Sequence, residues 1–194
     1  NPHFLLNTLN NIYALVEFNP VRAQQAIHDL SKLLRHILYD NNQTFVPLSQ
    51  EVDFMRNYID LMRIRLPDNV ELTTQFDLQP DSDTRIAPLI FISLIENAFK
   101  HGISGNKPSF IRISLSENPK GIVQFSCENS YFPKNESDKS GKGIGLAHMQ
   151  KRLDLLYPGR YIWDKHISNN TYSTTLIIDT KKENGNDTQL LDHR

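Results

Sequence analysis

Leu5, Leu9, Ile12 and Val16 recur at three- and four-residue intervals, so residues 4–18 are predicted to form an amphipathic helix. Asn19-Pro20 interrupts it, because proline disfavours helical backbone in the residue before it. A second stripe follows, with Ala23, Ala26, Ile27, Leu30, Leu34 and Ile37 on one side, and Asp40-Asn41-Asn42 closes it with turn formers. So short a connection predicts an antiparallel hairpin. Two helices bury little by themselves, so this hairpin is expected to need a partner, for example the same hairpin of a second subunit. Ser49 is a candidate N-cap for a third helix reaching about Leu66, with Val52, Met55, Ile59 and Met62 as its stripe. After Pro67-Asp68-Asn69 the period changes to two. Residues 70–77, 110–116, 122–127 and 172–178 alternate as strands do, with helical segments at 88–101 and about 144–157 between them. The expected fold class is α+β: an N-terminal helical hairpin, then an α/β sandwich of one mixed sheet with helices on one face. The expected units are the hairpin at 1–45, a connecting helix at 46–66, the sandwich at 67–180 and a polar, disordered tail at 181–194.

Composition narrows the function. The 194 residues carry 21 Lys and Arg against 22 Asp and Glu, a net charge of −1, which argues against direct binding of nucleic acid through phosphate neutralisation. Cys127 is the only cysteine, so no internal disulfide forms and a reducing compartment fits. The most apolar run, 86–95, contains Pro88 and Ser93 and is about half of the ~20 residues a membrane span needs, so no membrane contact is expected of this chain. The chain opens on Asn1 and is expected to be part of a longer protein.

Two segments carry candidate chemistry. In Leu94-Ile95-Glu96-Asn97-Ala98-Phe99-Lys100-His101-Gly102, helical spacing puts Asn97, Lys100 and His101 on one face. An Asn oxygen suits a magnesium ion already held by phosphates. Lys100 offers a mobile cation to phosphate oxygens, and Gly102 allows a sharp helix exit. Alone, the segment also fits a capped amphipathic helix with solvated charges. In Gly141-Lys142-Gly143-Ile144-Gly145-Leu146, alternating glycines let backbone approach phosphate, with the N–H groups of a helix start behind them. Alone, that segment also fits a flexible turn. Residues 133–140 before it suit a lid over a nucleotide; Lys134 and Lys139 there are read as keeping the loop soluble.

In this order and spacing the two segments resemble the GHKL ATP-binding fold, shared by histidine kinases and type II topoisomerases. The whole chain is similar to the LytS-type branch of sensor histidine kinases, whose phosphoacceptor box N-P-H-F-x-x-N matches Asn1 to Asn7. Further matches are Leu30-Ser31-x-Leu33-Leu34-Arg35, Val46-x-Leu48-x-x-Glu51 with Tyr58 and Arg65, the box at 95–102, and Gly143-Ile144-Gly145-Leu146 with Arg152-Leu153. The resemblance covers about residues 1–180. It implies that His3 accepts the γ-phosphoryl group of ATP, that Asn97 helps hold Mg²⁺, and that Lys100 and His101 lie near the phosphates. Gly141, Lys142, Gly143, Gly145 and Leu146 then form the phosphate-side loop.

One element departs from the family. The usual Asp-x-Gly-x-Gly box, whose Asp accepts from the adenine amino group, is replaced by Cys127-Glu128-Asn129-Ser130-Tyr131. Val123, Phe125 and Cys127 make the apolar face of that strand, so parity puts Asn129 in phase and points Glu128 away. An Asn oxygen can accept the adenine N–H, without the charge assistance of a carboxylate. Neutral imidazole has a nitrogen lone pair near pH 7 and can attack phosphorus without prior deprotonation. Phe4 follows His3, so no adjacent base is visible, and Asn7, one turn on, is placed to orient the ring.

The resemblance implies autophosphorylation followed by transfer to an Asp in the receiver domain of a response regulator, usually of LytTR type. It further implies a homodimer through the hairpin, and a place on the cytoplasmic side of an inner-membrane-anchored bacterial protein. The alternatives are a degenerate module that dimerises and docks a partner, and a GHKL ATPase. ATPases of that fold carry a water-activating Glu four residues before the metal-binding Asn, where this chain has Ser93.

Overall fold

The computed structural model describes residues 2–39, 43–64, 66–133 and 144–181; for residues 2–5, 7, 36–39 and 144 it describes backbone alone. The elements are α1 (Pro2–Phe18), α2 (Pro20–Tyr39), β1 (Val46–Pro47), α3 (Leu48–Arg63), β2 (Val70–Asp77), β3 (Arg85–Ile86), α4 (Ile92–His101), β4 (Ser109–Glu117), β5 (Ile122–Ser130), α5 (Ile144–Leu156), β6 (Tyr161–Ser168) and β7 (Thr171–Asp179). The expected turn formers at 40–42 and most of the polar tail, 182–194, lie outside the described residues.

A single residue separates α1 from α2. The Asn19 N–H closes α1 on the Leu15 carbonyl at 2.7 Å, and the Asn19 Oδ1 accepts the Arg22 N–H at 3.1 Å, capping α2. Pro20 takes the first helical position, where its missing N–H costs nothing. Ile12 and Thr8 of α1 are buried, as are Ala23, Ala26, Leu30 and Leu33 of α2. The stripe expected on α1 divides: Leu9 and Val16 are about half exposed while Ile12 is covered, and Ile27 of α2 is also half exposed.

The third helix begins at Leu48, with Pro47 rather than Ser49 in the cap position. Pro47 belongs to a two-stranded ribbon with β3, pairing Val46 with Ile86, and the Leu48 N–H donates to the Thr84 carbonyl at 2.8 Å. A tertiary contact therefore satisfies the end that a side-chain cap was expected to satisfy.

The main sheet has the order β2-β4-β5-β7-β6, with β2 parallel to β4 and all other pairs antiparallel. Inward rows run across it: Ile113, Cys127 and Thr174, then Leu115, Phe125 and Leu176. All six are buried. Phe91, just before α4, stacks on Phe125 with ring centres 4.9 Å apart. Met149, Leu153 and Tyr157 bring α5 and the turn after it into the same core. The outer face is polar and open, with Thr73, Gln75, Ser114 and Ser126 around an Arg112–Glu128 pair.

Three short or edge strands were not expected: β1, β3 and β6. Strand β6 is an edge whose middle, Asp164-Lys165-His166, is charged and exposed, which suits an unpaired edge and hides the alternation. Helix α4 begins at Ile92, four residues later than the periodicity suggested, because Ala87 to Phe91 form a turn with Leu89 at φ +58°.

Candidate functional site

Helix α4 carries Asn97 and His101 half-buried and Lys100 exposed. Glu96, beside Asn97, has its carboxyl pushed above the usual range by burial, an effect partly offset by the charge of Lys100 one turn on. The helix closes where the Gly102 N–H donates to the Ala98 carbonyl at 2.7 Å.

Strand β5 extends three residues beyond the expected 127, far enough to bring Asn129 into the inward row. Asn129 pairs across the ladder with Ile111 and Tyr172 and is 2% exposed. Its Nδ2 donates to the Ser130 carbonyl at 2.8 Å, while its Oδ1 is buried with no partner. The donor contact fixes which side of the amide is which, so the open position is an acceptor. A buried acceptor left open costs about 1–3 kcal/mol unless a donor fills it.

Gly102 supplies the wall beside Asn129. A Cβ at position 102 would meet the Asn129 Cβ at 2.6 Å, the Ala98 carbonyl oxygen at 2.7 Å and the Asn129 Nδ2 at 2.8 Å. Its φ is −90°, outside the left-handed region, so at this helix exit the glycine is required by close approach.

The start of α5 lies against the other end of α4. A Cβ on Gly145 would lie 3.8 Å from the Ser93 hydroxyl, so this glycine sits over the first turn of α4, and Leu146 packs against the core. Gly141, Lys142 and Gly143 lie outside the described residues. His3 and Asn7 fall on the backbone of α1, and their side chains are likewise outside the description. Of the expected site residues, Asn97, Lys100 and His101 thus share α4, with Asn129 at its C-terminal end and Gly145 at its first turn. No group of His, Cys, Asp and Glu suited to a metal ion occurs among the described residues.

Glu51 is a residue whose place the sequence did not reveal beyond a motif match. It lies on α3 with no exposure, and its Oε2 accepts the Leu89 N–H at 3.0 Å. Burial raises its carboxyl to about 7, against the lowering effects of the Leu89 amide and the Arg152 charge. The usable signal was a carboxylate in register with the apolar positions Met55 and Tyr58, four and seven residues further on.

The chain is similar to known proteins along most of its length. Residues 1–70 match the family model described as histidine kinase. The sensor histidine kinase YpdA of Escherichia coli (strain K12) is 31% identical over 165 residues, covering 81% of this chain and 29% of that protein. The sensor protein LytS of Streptococcus agalactiae is 27% identical over 169 residues, again 81% of this chain and 29% of the relative. The sensor protein kinase HptS of Staphylococcus aureus (strain USA300) is 30% identical over 166 residues, 80% of this chain and 32% of the relative. The chain therefore spans less than a third of the length of these relatives. The histidine kinase domain of a blue-light activated histidine kinase from Erythrobacter litoralis superposes with a TM-score of 0.53 at 12% identity, over 87% of this chain and 80% of that one. The fold is that of the histidine kinase catalytic region. Over the stretch they share, the chain is similar to sensor histidine kinases of the LytS type, LytS and YpdA among them.

Proposed function

We propose that this chain is the phosphoacceptor and ATP-binding portion of a two-component sensor histidine kinase. The observation that carries the reading is the open, buried Oδ1 of Asn129 at the C-terminal end of α4. An adenine amino group is the donor that fits it, at the wall that Gly102 keeps free of a side chain. Asn97 would then offer its amide oxygen to Mg²⁺. Lys100, His101, Lys142 and the backbone at Gly141, Gly143, Gly145 and Leu146 would face the phosphates. The magnesium ion, when bound, neutralises phosphate charge. The neutral imidazole of His3 attacks the γ-phosphorus, the bond to the ADP oxygen breaks, and Asn7 orients the ring. The phosphoryl group then passes to an Asp of a response regulator, of LytTR type by family resemblance.

A homodimer through the hairpin is part of the same reading, and the surface of α1 supports it. Leu6, Leu9, Tyr13 and Val16 are exposed at intervals of three, four and three residues, beside the face that buries Thr8 and Ile12. That is the spacing of a helix–helix seam. The division of the chain into a hairpin at 1–45, a connecting helix at 46–66 and a catalytic unit at 67–180 rests on this same arrangement. No described helix is long and apolar enough to cross a membrane. Membrane anchoring, with this chain on the cytoplasmic side, is proposed for the whole protein.

The test is incubation of the dimeric protein with Mg-ATP labelled at the γ position. Acid-labile protein phosphate that His3→Gln abolishes is the expected result. Steady phosphate release without label would favour an ATPase, a reaction for which Ser93 supplies no carboxylate base. Absence of nucleotide binding would favour a docking module.

A further inference from the structure

The turn from Ala87 to Phe91 leads directly into α4, and its backbone is held by side chains from two other elements. From α3, the Oε2 of Glu51 accepts the Leu89 N–H at 3.0 Å, and the Ile90 amide adds a second stabilising contact. From α5, an Arg152 Nη donates to the Pro88 carbonyl at 2.8 Å. Just after α5, the Tyr157 hydroxyl accepts the Ala87 N–H at 2.8 Å. Leu89 adopts φ +58°, a left-handed conformation that a bulky residue holds only where its surroundings enforce it. The anchors come from two regions far apart in the chain, α3 and the end of α5, and they meet at the entry of α4. Helix α3 follows the hairpin that bears His3, α4 carries Asn97 and Lys100, and α5 begins at the glycine-rich loop.

A carboxylate is a poor choice for this place if packing alone mattered. Position 51 is fully buried beside Val52, Met55 and Tyr58, where an apolar side chain would avoid the desolvation of a charge. An apolar side chain would leave the Leu89 N–H without its partner. Glu51 also keeps Oε1 without a hydrogen bond. Among the described residues, Arg152 and Tyr157 are the charged and titratable groups that act on it, and burial keeps the Tyr157 hydroxyl neutral by raising it to about 12.

Resting on the kinase reading above, we propose that Glu51 is a positioning residue for phosphoryl transfer. Through the Leu89 amide, and together with Arg152 on the Pro88 carbonyl of the same turn, it fixes the entry of α4 relative to α3 and α5. The phosphoacceptor side and the nucleotide side of the molecule are thereby held in one register. Protonation of Glu51 weakens it as an acceptor and ends its attraction to Arg152, so the hold loosens as pH falls through about 7.

The experiment is single-turnover phosphorylation of the full-length protein at saturating Mg-ATP between pH 6 and 8.5, with Mg-ATP affinity measured separately by titration of a fluorescent analogue. In Glu51→Gln, which keeps the shape and one acceptor, the rate is expected to fall roughly tenfold or more, the scale of a small misalignment of reacting groups. Its Mg-ATP affinity should change by less than about threefold, because uniform binding is untouched. The step in rate near pH 7 should lose its Glu51 component. Arg152→Gln should move that step to higher pH, since the charge that favours the carboxylate is gone. Wild type that takes label while Glu51→Gln matches it at every pH overturns the inference and leaves the kinase reading standing. So does a parallel loss of rate and affinity with the pH step intact, or an Arg152→Gln profile that does not move. Wild type that takes no label overturns the kinase reading and the inference with it.

Discussion

At the scale of single residues, Asn129 and Glu51 are opposite cases of a buried polar group. Asn129 has its donor side satisfied and its acceptor side open, which is the arrangement a donor ligand completes. Asn129→Ala is expected to weaken Mg-ATP binding by about tenfold, the worth of one well-formed buried hydrogen bond. Titration of a fluorescent ATP analogue, with circular dichroism as a folding control, checks it. Glu51 contributes in the opposite sense to stability. Its carboxyl rises from 4.5 to about 7 on folding, so the native chain binds the proton more tightly than the unfolded one. The burial is therefore without ionisation cost below about 4.5 and becomes costly as pH rises to 7, by up to ~3 kcal/mol. Urea denaturation should find Glu51→Gln gaining stability relative to wild type between pH 5 and pH 8. Equal differences at the two values would remove the ionisation account. Strand parity in the sequence was sufficient to put Asn129 in the inward row, because one residue of phase decides the face. Glu51 was legible only as a motif match, because its partner lies 38 residues away in a turn that periodicity took for helix.

At the scale of elements, the long periodic segments were legible and their ends were not. Strand β2 has the expected bounds, and β4, β5 and β7 differ only at their ends. The ends of α3 and α4 moved because tertiary contacts took over what local caps would do: the β1–β3 ribbon at Leu48, and Glu51 with Arg152 at the turn before α4. Strand β6 escaped notice because its charged, exposed middle breaks the alternation. The end of α4 carries a sharp prediction. Gly102→Ala forces a methyl into the space of Asn129 and the Ala98 carbonyl, and overpacking of this kind costs typically ~1–3 kcal/mol. A thermal melt should show the loss, and Mg-ATP affinity should fall with it because Asn129 is displaced. A Gly102→Ala protein with wild-type stability and affinity would mean that the wall of the cleft is not where α4 meets β5.

At the scale of the whole molecule, the passage from helices to a sheet near residue 67 was legible, because the hydrophobic period changes there from three-to-four residues to two. The exposed seam on α1 was not, because the sequence assigned Leu9, Ile12 and Val16 to one buried face. The fold covers Ile12 and leaves Leu9, Tyr13 and Val16 open. Tyr13→Glu, at a position 83% exposed, should leave the fold intact and weaken dimerisation by at least about tenfold, as a charge in an apolar helix seam does. Sedimentation equilibrium of the two proteins reads this directly; unchanged association would move the interface elsewhere. In the proposed function, the hairpin, connecting helix and catalytic layer together bring ATP to His3. Mapping of protein-bound phosphate after incubation with Mg-ATP, by mass spectrometry at neutral pH, tests that claim most directly. A phosphoramidate is expected on the peptide that contains His3, absent when nucleotide is withheld. Phosphate on another residue, or nucleotide turnover with His3 unmodified, would contradict it.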